Sequence, residues 1–186
     1  TALTSAPHLI KNPGYDITRS FTYLGLIQTS RQVLIVSPSL GVNSVQEFIQ
    51  LAKSKPGQLN FGSSGIGNSI HLAAEEFNHA VGIQAVHIPF KTGSETDAAI
   101  MGGQVQYSFA TVPTSIGLIR GGKLKPLVVT GDSRDPSLPE VPSPDDPPLG
   151  KLFADASRDL SALVPSEIQL AKSELKVSLK AEIDEA

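Results

Sequence analysis

The sequence predicts an α/β fold: a mainly parallel sheet flanked by helices, with an amphipathic helix added at the C-terminus. Three observations lead there. Strand-like and helix-like segments alternate between residues 32 and 130, separated by glycine-containing turns, which is the pattern of βαβ units. Six of the 14 prolines fall between Pro136 and Pro148, where no helix or central strand can persist. Beyond that stretch apolar residues recur every three or four positions, the period of a helix with one buried face.

Residues 21–27 (FTYLGLI) and 32–37 (QVLIVS) are short and β-rich, and both read as strands. A helix follows. Asn43 or Ser44 is its N-cap, Glu47 holds the capping-box position for Ser44, and Val45, Phe48, Ile49 and Ala52 form its apolar stripe. Lys53 and Lys55 suit the helix dipole, and Pro56-Gly57 ends the helix. Leu59-Asn60-Phe61 is a short strand running into a small-residue loop, Gly62 to Ser69. The next helix spans about Ile70 to Val81, with Ile70, Ala73, Phe77 and Val81 on one face and Gly82 at its end. Ala85 to Phe90 is a strand, the turn Lys91-Thr92-Gly93-Ser94 opens a helix from Glu95 to Met101, and Gly102-Gly103 stops it. Val105 to Phe109 alternates as a strand, Thr114 to Arg120 is a short helix closed by Gly121-Gly122, and Leu127 to Thr130 is a last buried strand.

The proline cluster divides the chain into a body (1–135), a semi-extended linker (136–148) and a helical tail (149–186). In the tail, Leu149, Phe153, Ala156, Leu160 and Leu163, then Val164, Ile168, Ala171, Leu175 and Leu179, mark one helix or two meeting at Pro165. Its charges are mixed rather than basic, unlike an electrostatic membrane binder.

Composition excludes several classes. A net charge of −3 over 186 residues, with no basic bias, argues against a duplex nucleic-acid binder. Absence of cysteine removes disulfides, thiolate catalysis and cysteine zinc sites together. The longest strongly apolar runs, such as Val33-Leu34-Ile35-Val36, fall far short of the roughly 20 residues of a membrane span. No signal peptide opens the chain, and Thr1 follows no methionine, so a mature or excised segment is expected.

The best candidate site is the loop at 62–69. It joins a strand end to a helix N-terminus, where small residues let backbone N–H groups approach an anion and the helix dipole favours it. Ser63, Ser64, Asn68 and Ser69 add side-chain donors. The same pattern also describes an ordinary tight turn with Ser69 as helix cap. It is not a P-loop, since no Lys-Ser/Thr pair follows the last glycine, and Gly62, Gly65 and Gly67 lack the dinucleotide-binding spacing. The turn at 89–96 is a second strand-to-helix junction, with Lys91 supplying charge, or simply a helix capped by Ser94. His71, Glu75 and His79 share a helix face. Spread over two turns, they read as a solvated polar face rather than a metal site. His87 reads as structural. No nucleophile–base pair or G-x-S-x-G elbow is present, so neither an enzyme nor a cofactor or metal is expected.

The order GYDITRSFTYLGLIQTS, VLIVSPS, SVQEFIQLAKSKPGQLNFGSSGIGNSIHLAAEEF, VHIPFKTGSETDAAIMGGQV and LIRGGKLKPLVVTGDSRDPSLPEVP is similar to the extracytoplasmic solute-binding proteins of tripartite tricarboxylate transporters, the Bug/TctC family. The resemblance runs from about Ala6 to Pro142. It implies a two-lobed periplasmic-binding fold holding a small carboxylate between its lobes and passing it to transporter membrane subunits. It further implies a periplasmic location and a ligand-binding set of Ser63, Ser64, Gly65, Gly67, Asn68 and Ser69, with Phe90-Lys91-Thr92 matching the family's Tyr-Lys-Gly turn. Three departures stand out. The family's amino-terminal portion is missing, Ala110 and Thr111 replace a frequent acidic residue and asparagine, and after Pro142 the chain does not return to a first lobe. Residues 147–183 instead resemble the amino-terminal helix of actinobacterial holin-like (Holin-X, superfamily III) proteins. The expectation is therefore a truncated carboxylate receptor. The competing expectation is a mosaic structural protein without ligand, self-associating as a homo-oligomer or contacting a membrane surface through the tail.

Overall fold

The computed structural model describes residues 11–16, 19–22, 30–131 and 133–146; the tail from 147 onward, with its holin-like resemblance, lies outside them. The chain divides into two compact units, Thr1–Asp146 and Pro147–Ala186. Within the first unit lie strands β1 (Gln32–Val36), β2 (Leu59–Ser63), β3 (Ala85–Pro89), β4 (Tyr107–Thr111) and β5 (Lys125–Val129). Between them run helices α1 (Val45–Ser54), α2 (Ser69–Val81), α3 (Gly93–Met101) and α4 (Val112–Arg120), with a short 3-10 turn at Pro38–Leu40.

The strands form one sheet in the order β3-β2-β4-β1-β5. β2 pairs in parallel with β3 and β4, whereas β1 runs antiparallel to both β4 and β5. Four strands therefore point one way and β1 alone is reversed. Direction follows from connection: β1 reaches β2 through α1 without a parallel crossover, a distinction that alternating strand and helix signals do not carry. The pairing of β1 with β5 shifts register between Leu34 and Ile35, opposite Pro126, whose missing N–H is tolerated on this edge strand.

Helices cover both faces. On one, Phe48 of α1 and Phe77 of α2 stack at 6.3 Å between ring centroids, and Phe48 meets Tyr107 edge-on at 4.9 Å. The other face carries Val33, Ile35 and Ala110 against Ala99 and Ile100 of α3 and Ile119 of α4. Ser44 caps α1 by accepting the Glu47 N–H, while the Glu47 carboxylate accepts the Asn43 N–H at 2.7 Å. The buried stripe of α2 is Ala74, Phe77, Asn78 and Val81, rotated from the expected Ile70, Ala73, Phe77 and Val81. Asn78 can be buried because the Tyr107 hydroxyl donates to its Oδ1 at 2.6 Å.

Three expectations change. Phe21 and Thr22 belong to no strand, and 23–27 lies outside the described residues. The caps of α2 and α3 are Asn68 and Thr92, not Ser69 and Ser94. The proline-rich segment, expected as a linker, is packed over its described part: Leu138 and Val141 are buried in the α3/α4-side core, and the Val129 N–H donates to the Pro142 carbonyl at 2.9 Å. Arg134 pins it further, donating to the Pro139 carbonyl and to Asp146 at 2.9 Å each. Proline forbids regular elements but not burial, and two aliphatic side chains among the prolines supply the contact.

Candidate functional site

The carboxyl ends of β2, β3 and β4 meet at one edge of the sheet, because Ser63 pairs with Pro89 and both strands run parallel. Three strand-to-helix junctions gather there: 64–68, 90–92 and the direct step from Thr111 into α4. Such an edge is where ligands bind in open α/β sheets. The first two junctions are joined directly, the Phe90 N–H donating to the Ser63 carbonyl at 2.8 Å.

Glycine is required in the first loop for two separate reasons. Gly65 and Gly67 have φ of 118° and 78°, conformations that side-chain-bearing residues rarely adopt. Gly62 has ordinary φ, but a Cβ there would lie 2.6 Å from Thr96 Cγ2, so its absence lets β2 lie against α3.

Many polar groups of the loop are spent on holding it. The Ser63 side chain is fully buried; its hydroxyl lies 2.7 Å from His87 Nε2, 3.0 Å from the Gly65 carbonyl and 3.3 Å from the Gly65 N. Asn68 accepts the His71 N–H at 2.8 Å and donates to Ser64 Oγ at 2.8 Å. The Gly67 N–H donates to His71 Nδ1 at 3.1 Å, and the Lys91 N–H to the Glu95 carboxylate at 3.0 Å. Thr92 Oγ1 accepts the Glu95 N–H at 3.2 Å. Each cap satisfies the third amide of its helix and leaves the first two. The N–H groups of Ser69 and Ile70 on α2, and of Gly93 and Ser94 on α3, have no acceptor among the described residues. These four outward amides, the Ser64 and Thr92 hydroxyl protons and the exposed Lys91 ammonium are among the donors the edge offers.

The expected residues thus divide. Ser64, Ser69, Lys91 and Thr92 present groups at the edge. Ser63, Asn68, Gly65, Gly67 and Phe90 shape it. Ile70, Gly93 and Ser94 enter the set because the true caps sit one and two residues earlier than expected. The helix face at His71, Glu75 and His79 also splits: His79 and Glu75 are exposed, whereas the His71 side chain, at 15 % exposure, turns onto the sheet. His71 and His87 stack at 4.0 Å between centroids, and His87 lies on Phe61 at 4.8 Å. Burial, and after it the repulsion that a protonated His71 would exert, pushes the His87 pKa down to about 4. On α3, burial raises the Asp97 carboxyl above its ordinary range, opposed by a hydrogen bond from Ser115 at 3.1 Å.

Residues 1–150 match the family model described as the tripartite tricarboxylate transporter family receptor. The chain belongs to that receptor family. Its relatives include a UPF0065 protein of Bordetella pertussis, 33 % identical over 141 residues, covering 76 % of this chain and 43 % of the relative. Another is a UPF0065 protein of Cupriavidus necator, 37 % identical over 110 residues, covering 59 % and 33 %. The chain therefore spans less than half the length of these two relatives. Among solved structures, the periplasmic binding protein BugD superposes with a TM-score of 0.74 at 27 % identity, covering 81 % of this chain and 50 % of BugD. An R. palustris protein solved with adipate gives 0.67 at 32 % identity, covering 70 % and 44 %. Tripartite tricarboxylate transporter receptors are periplasmic solute-binding proteins, not enzymes. No helix among the described residues is long and apolar enough to cross a membrane.

Proposed function

We propose that this receptor chain supplies a carboxylate-holding lobe in which the four outward amides of α2 and α3 form the anion seat. The observation that carries the reading is the pairing of two capped helix N-termini at one sheet edge, with Ser69, Ile70, Gly93 and Ser94 N–H groups left for a ligand. Two helix dipoles and Lys91 favour negative charge there, and the R. palustris relative solved with adipate supports a carboxylate of that class. Ser64, Ser69, Lys91 and Thr92 contact the ligand, whereas Ser63, Gly65, Gly67, Asn68 and Phe90 hold the loops in shape. The periplasm is the proposed site of action, and transporter membrane subunits are the proposed recipients.

The test uses Ser69→Pro. Proline is tolerated at the first helical position, and Asn68 already has the extended backbone (φ −76°, ψ 170°) that a following proline needs. The substitution deletes one amide donor and leaves the helix intact. Calorimetry with adipate and citrate should show binding by the parent chain and about tenfold weaker binding by Ser69→Pro, the scale of one charge-assisted hydrogen bond. No heat from the parent chain with either acid at millimolar concentration would sink the reading.

A further inference from the structure

We propose that His71 is a positioning residue for the ligand loop, which it holds only while its Nδ1 carries no proton, and that the stacked His87 ring opposes that proton. The inference rests on the reading of 62–69 as ligand-holding, but its geometry is independent of any ligand. The Gly67 N–H donates to His71 Nδ1 at 3.1 Å, so this nitrogen is an acceptor and the ring is neutral, its proton on Nε2. Nε2 faces the Glu75 carboxylate at 3.6 Å. A second ring proton would set N–H against N–H at Gly67 and break that hydrogen bond, in a loop whose Gly65 and Gly67 already occupy positive-φ backbone.

The opposite end of the loop is held by the neighbouring ring. His87 Nε2 meets Ser63 Oγ at 2.7 Å, and that oxygen also contacts the Gly65 backbone. The two imidazoles lie 4.0 Å apart, 32° from parallel, with Phe61 stacked on both. Positive charge on one ring therefore raises the cost of charge on the other. Among the described residues, the titratable groups nearest the pair are Glu75 on α2 and, across Phe61, Tyr107 on β4. Burial keeps the Tyr107 hydroxyl protonated well above its usual range, so among the described residues Glu75 is the anion that faces His71. The two rings thus join β2, β3 and α2 beneath the loop and make its shape depend on proton uptake.

Nuclear magnetic resonance of the full chain tests this without ligand. On acidification from about pH 8 to about pH 4, the Gly67 amide should shift in step with the His71 ring resonances. Two variants separate charge from packing. His71→Asn places an amide oxygen where Nδ1 stood, keeping an acceptor that does not titrate. His71→Phe keeps the ring and removes the acceptor. Adipate affinity of the parent chain should fall about tenfold or more over this range. Adipate's own carboxylates take up protons toward about pH 4, so His71→Asn should show a smaller acid dependence than the parent chain, and His71→Phe should bind more weakly than His71→Asn at every pH. A Gly67 amide that ignores the His71 ring, or an acid dependence in His71→Asn as large as in the parent chain, overturns the inference. Failure of the parent chain to bind adipate at about pH 8 counts instead against the carboxylate seat, and the ligand-free titration still decides the role of His71.

Discussion

At the scale of single residues, His87 makes a separable prediction about stability. Its ordinary value is 6.5, and in the folded protein it lies at about 4, chiefly through burial. Between those values the unfolded chain binds a proton that the native state refuses. The stability His87 contributes is therefore full above about 6.5 and is lost as pH falls toward about 4. Urea midpoints for the parent chain should drop from about pH 7 to about pH 4.5, and the drop should shrink in His87→Gln. Parallel profiles for the two proteins would assign the loss to other groups. In the sequence His87 is simply one histidine in a strand. Only the pairing of β2 with β3 brings Ser63 beside it, and only the pitch of α2 brings His71 above it.

At the scale of elements, the starts of α2 and α3 decide what the site can offer. Asn68 caps α2 through the His71 N–H and holds Ser64 through its amide. Asn68→Ala should cost about 1 kcal/mol of stability, within the usual range for a lost cap, and also weaken adipate binding by freeing Ser64. Chemical denaturation and calorimetry on the same preparation check both, and unchanged affinity would separate the cap from the site. Cap positions are hard to read where several cap-competent residues adjoin. Asn68 and Ser69 both qualify, as do Thr92 and Ser94, and the backbone alone chooses. Ser44 was legible because Glu47 stands three residues on and the apolar stripe begins at once. The stripe of α2 was legible only in part, since a buried Asn78 depends on a tyrosine 29 residues away.

At the scale of the whole molecule, the segment that crosses 136–146 behaves as part of the lobe. Leu138 is fully buried in the core shared with α3 and α4. Leu138→Ala should therefore cost about 2–5 kcal/mol, the range for truncating a buried leucine, and lower the melting temperature, whereas a free linker would show no change. The sequence by itself determined the α/β class, the order of strands and helices from β1 to β5, and the two glycine-bearing junctions where an anion seat could form. Those follow from local rules: side-chain period, glycine conformational freedom and helix-ending prolines. Tertiary structure alone decided the reversal of β1, the burial of the proline-rich return, and the division of the loop's donors between outward amides and internal supports. It also decided the stacking of His71 on His87. Each of these depends on which distant residue arrives as a neighbour, and burial and hydrogen-bond partnership across the sheet are properties of that arrival rather than of local sequence.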